Sequence, residues 1–112
     1  MILAPVLAWG VLAQGAIEHK EQLRSAIGDA GWAIHGMSHN LCGVGEREAE
    51  ERRLWARFLA ADERYRAAFG EDSGAGIIME TFHYSCGKRD RWHEAAEAGR
   101  AALRKIKQLE GR

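Results

Sequence analysis

The sequence has no net charge: sixteen Lys and Arg are matched by sixteen Asp and Glu. Such a chain has no whole-molecule field to draw it onto a phosphate backbone, so general nucleic-acid binding is not expected. Cysteine is scarce, with two in 112 residues, and the two do not form the Cys-x-x-Cys pair that is the strongest zinc signature. Two cysteines leave the compartment open, since they make one disulfide in an exported chain or two thiols in the cytosol. Gly43-Val44-Gly45 precedes a helical pattern but lacks the Lys-Ser or Lys-Thr of a phosphate loop. His35 and His39 have the spacing of the zinc-protease helix motif, yet Gly36 stands where that motif has its glutamate. Without that general base the protease is excluded.

The N-terminus also lacks charge. Residues 1–17 carry no ionisable side chain, and no Lys or Arg precedes them as in a secretory signal, although Ala13 and Gly15 offer a cleavage-like position. As a membrane span the stretch only reaches the lower length limit, and it contains Pro5, Gly10, Gln14 and Gly15. Two readings follow. The segment is a first helix that buries most of its surface in a cytoplasmic protein, or it is a signal or membrane anchor on an exported one.

What is present is the composition of a globular chain, 46% apolar and 29% charged, of a length that fits one domain over residues 1–112. The pattern predicts a mostly α fold, with α+β as the variant: three main helices and one or two short strands. Residues 17–27 have a weak helical period, and Gly28-Asp29-Ala30-Gly31 reads as a break. Residues 32–38 fit a short strand or a helical turn. Residues 46–69 give the clearest helix: Leu54, Trp55, Phe58, Leu59, Tyr65, Ala68 and Phe69 form the apolar stripe, and Asp62 falls on the polar side. Glutamates crowd its first two turns and Gly70 is placed as a left-handed cap. Residues 77–84 are the best strand candidate. Residues 90–110 form a last helix with a stripe of Trp92, Ala96, Gly99, Leu103 and Ile106, whose small members suit close helix packing. Residues 88–112 hold a local basic surplus, read as a solvated face.

One motif occurs twice. His39-Asn40-Leu41-Cys42-Gly43 is echoed by His83-Tyr84-Ser85-Cys86-Gly87, with Arg47 and Glu50 repeated at Arg91 and Glu94. Each His-x-x-Cys-Gly is expected just ahead of a helix, and pairing of the extended segments before them would bring the two together. His39, Cys42, His83 and Cys86 then offer two imidazoles and two thiolates, the donor set of a closed tetrahedral zinc site. A Cys42–Cys86 disulfide is the alternative, closing a long loop. A third reading is a reactive thiol, activated by a helix N-terminus and a neighbouring histidine, in a redox or transfer enzyme.

The expected function is a small non-enzymatic interaction or assembly protein, held together by the paired His-Cys clusters and a zinc ion. Its partner is another protein or a second copy, recognised through tryptophans and small-residue stripes, with membrane contact through residues 1–17 as the variant. The Ala-, Arg- and Gly-rich composition suits a bacterial or phage accessory protein.

Overall fold

The computed structural model describes residues 3–74 and 89–111, with side chains from residue 15 onward. The described residues form three helices, α1 (Leu3–Ser38), α2 (Gly45–Phe69) and α3 (Trp92–Glu110). Their buried positions repeat at three- and four-residue steps, which puts them on one face of each helix. Leu23, Ala26, Ile27, Ala30, Ile34 and Met37 come from α1, and Leu54, Phe58, Ala61 and Tyr65 from α2. α3 adds Trp92, Ala96, Leu103, Ile106 and Leu109, and the three faces join in one core.

The directions follow from pairs at the two ends. Ser38 reaches Glu51 near the start of α2, and Lys20 reaches Glu71 just past its end, so α2 runs antiparallel to α1. An added Cβ on Gly36 would meet Ala95, and one on Gly99 would meet Ile34, while Glu110 shares a cleft with His19 and Leu23. α3 is therefore also antiparallel to α1. The α1–α3 interface is the most extensive. Its small residues explain the closeness: an added Cβ on Gly99 would lie 3.4 Å from Ile34 Cγ1 and 3.8 Å from Ala33 Cβ.

Helices expected at residues 46–69 and 90–110 are found as α2 and α3, shifted by one or two residues at their starts. Gly70 caps α2 with φ 66°, and its N–H donates to the Arg66 carbonyl. Two expectations are corrected. The break at residues 28–31 does not occur, and residues 32–38 are helix, all of them within α1. Glycine costs a helix interior only about 1 kcal/mol, and burying Ala26, Ile27, Ala30 and Ile34 on one continuous face outweighs that. With residues 32–38 helical, the paired extended segments are overturned, and the described residues contain no strand. The candidate strand at residues 77–84 lies outside the described residues.

On α2 the apolar stripe was drawn too widely. Ala68 is exposed and Leu59 is 41% exposed, whereas Glu51 and Asp62 are buried. Asp62 accepts a hydrogen bond from Ser73 and an ion pair from Arg66, which allows a carboxylate to sit in the interface.

The helical body ends near Lys20, but α1 does not. From Lys20 back to Leu3 its backbone continues for about 26 Å at 1.5 Å per residue, and the whole molecule measures 67 × 22 × 21 Å. Residues 15–18 are exposed, with Ile17 at 60%. No helix among the described residues is long and apolar enough to cross a membrane.

Candidate functional site at the turn between α1 and α2

The first His-Cys-Gly cluster forms the turn that reverses the chain from α1 into α2. Cys42 and Gly43 both take left-handed backbone conformations, φ 52° and 71°. Glycine does this freely, whereas a residue with a Cβ is strained there. Leu41, just before them, is buried at 7% exposure. Asn40 holds the turn from the side: its Nδ2 donates to the Gly36 carbonyl at 2.8 Å, and its Oδ1 accepts the Arg91 N–H at 3.1 Å. Arg47, in the first turns of α2, donates to the Asn40 carbonyl at 2.8 Å. It also grips Asp90 through both carboxylate oxygens at 3.0 and 2.7 Å, while its guanidinium lies 5.3 Å from the centre of the Trp92 ring.

This cluster ties the start of α3 to the turn. The hydrogen bond from Arg47 and the Trp92 N–H hold the Asp90 carboxyl below its ordinary value of 3.8, and the Asp90 pairing raises Arg47 in return. Deeper in, Glu51 accepts from Ser38 Oγ at 2.8 Å and from Trp55 Nε1 at 2.7 Å. Beside it Glu50 bridges Arg53 and Arg100, and those guanidinium groups, Arg53 first, lower its pKa below 4.5.

Cys42 is disulfide-bonded, and no cysteine among the described residues is free. A disulfide sulfur has no thiolate to give a metal or a substrate. The four-residue zinc set therefore requires reduction of Cys42, and its other half, His83 and Cys86, lies outside the described residues. Among the described residues no group of three or more His, Cys, Asp or Glu side chains is arranged to hold a metal.

His39 has a different neighbour from the one its motif suggested. It sits just after α1, and its Nε2 lies 3.0 Å from Nε2 of His35 one turn earlier. The rings meet edge to face with centroids 4.6 Å apart, and Trp32 packs against His35 with centroids at 5.5 Å. The i, i+4 spacing was visible in the sequence. The missing glutamate disposed of a protease, not of the pair itself.

The repeat does not extend to its outer members. Arg47 is the anchor of the turn, but its counterpart Arg91 is exposed and contributes its backbone N–H. Asn40, Asp90 and Glu51 were missed. The first two lie 50 residues apart in sequence, and no local pattern links them. Matched against family models, curated proteins and solved structures, the chain finds no counterpart.

Proposed function

We propose that the chain is a non-enzymatic interaction module for an oxidising compartment, whose helical body is closed by a Cys42–Cys86 disulfide and attached to its partner through the apolar start of α1. The observation that carries this reading is the disulfide-bonded state of Cys42. The sequence offers one other cysteine, Cys86. Reach supports the pairing: Asp90 is held against the same turn by Arg47, and four residues of chain span at most about 14 Å.

The polar groups buried in the body bond to one another, Ser38 with Glu51 and Ser73 with Asp62, as structural pairs do. From Leu3 onward the uncharged segment at residues 1–17 is itself the start of α1, a helix whose backbone outruns the helical body. Such an arm suits attachment to an apolar partner surface and departs from the cytoplasmic expectation. A protein partner fits this better than nucleic acid, given the balanced charge.

The test is a thiol count on denatured protein purified from its native host with thiols blocked at lysis, together with N-terminal sequencing. No thiol before reduction and two after it support the module. Two thiols before reduction refute it and return zinc to first place.

A further inference from the structure

We propose that His35 and His39 form a two-imidazole chelate for a divalent transition metal that accepts cis nitrogen ligands at near right angles, of the copper(II) or nickel(II) kind, independent of the disulfide. The two Nε2 atoms face each other at 3.0 Å. Metal–imidazole bonds are about 2.0–2.1 Å, and a metal bonded to both nitrogens at that separation subtends about 94°. That angle matches cis positions of square-planar or octahedral coordination, whereas tetrahedral zinc needs the nitrogens about 0.35 Å further apart.

The scaffold is prepared for it. His35 lies in the last turn of α1, whose buried residues Ile34, Met37 and Ser38 fix the helix against α2 and α3. Asn40 locks the next residue after His39. Trp32 stacks edge-on against the His35 ring and limits its rotation. Both histidines are half-buried, so an ion has access from solvent.

In the metal-free state one Nε2 carries the proton that the other accepts. Binding replaces this N–H with a metal–nitrogen bond, and the proton moves to Nδ1 of the same ring, so both rings coordinate as neutral imidazoles and no net proton is released.

The experiment uses the untagged, oxidised full chain, titrated calorimetrically with nickel(II), copper(II) and zinc(II) in a non-coordinating buffer. The expected result is one copper(II) or nickel(II) per chain, bound more tightly than zinc(II), with nitrogen coupling from two equivalent imidazoles in the copper electron paramagnetic resonance spectrum. Binding should be lost in both His35→Gln and His39→Gln, which keep a polar side chain and whose folding is checked by circular dichroism. It should be retained in His93→Gln and in a Cys42→Ser/Cys86→Ser variant. Unchanged binding in the two glutamine variants overturns the proposal. So does preference for zinc(II), or binding that appears only after reduction, because either result assigns the metal to cysteine thiolates.

Discussion

If Cys42 pairs with Cys86 as proposed, reducing the disulfide should lower the melting temperature by an amount fixed by the loop it closes. Cys42 and Cys86 are separated by about 44 residues of chain, and the chain-entropy relation then gives about 13 cal/mol/K, or about 4 kcal/mol at 25 °C. For a chain of 112 residues that corresponds to a fall of about 15 °C. The assay is thermal unfolding followed by helical circular dichroism, with and without a phosphine reductant. The Cys42→Ser/Cys86→Ser variant, melted without reductant, should coincide with the reduced wild type. A second readout uses the left-handed backbone at Cys42, φ 52°. In the Cys86→Ser background, Cys42→Gly should melt above Cys42→Ser, because glycine removes about 1 kcal/mol of backbone strain. Equal melting of oxidised and reduced protein would refute the reasoning.

Gly28→Ala should stabilise the fold by up to about 1 kcal/mol in chemical denaturation, because an added Cβ there meets nothing within 4 Å. Glu51→Ala should cost about 1–3 kcal/mol by the same assay, since it removes the buried carboxylate that accepts from both Ser38 and Trp55, and Glu51→Gln should cost less because it keeps an oxygen in place. Stability should fall at both pH extremes. Glu71 is held below its ordinary 4.5 by hydrogen bonds from Tyr65 and Lys20. Its contribution is present above that value and is lost as pH falls through the depressed one. Tyr65 is pushed from 10.0 up to about 12, first by burial and then by its hydrogen bond to Glu71. Its contribution is present below 10.0 and disappears as pH rises toward 12. An ultraviolet titration of phenolate should show one tyrosine ionising late, and early ionisation of both would contradict the buried placement of Tyr65.

The helices that the sequence revealed are those whose apolar residues recur without competition. On α3 the stripe of Trp92, Ala96, Gly99, Leu103 and Ile106 is buried as expected. α2 was legible in extent and cap but not in its interface, because Glu51 and Asp62 are charged residues whose burial depends on Ser38 and Ser73 elsewhere in the chain. α1 was misread at Gly28 and Gly31 for a related reason: local propensity marks a break, and the packing that overrides it comes from α3, some seventy residues later. The site was half legible. His39 and Cys42 were identified, and a disulfide at Cys42 was the alternative to zinc, but His39 turns to His35. A motif repeated in sequence drew attention away from a partner one helical turn back.

The two ends of the body are fastened by different chemistry, which gives a further way to separate their contributions. At the α1–α2 turn, Arg47 joins Asn40, Asp90 and Trp92 into one cluster beside Cys42. At the opposite end, Glu71 joins Lys20 on α1 to Tyr65 on α2. A helix running unbroken between them transmits little of a local loosening, since each end is separated from the other by the core of Ile27, Phe58 and Ile106. Reduction should therefore speed amide exchange most around residues 41–44 and at the start of α3, while Tyr65 and its neighbours lose only the share that global stability loses. Acid below pH 4.5 should speed exchange at residues 69–71 as the depressed Glu71 carboxylate, the fastener there, takes up a proton. If reduction instead raised exchange equally at both ends, the body would be opening as a single unit, and the disulfide would act on global stability with no local hold on the turn.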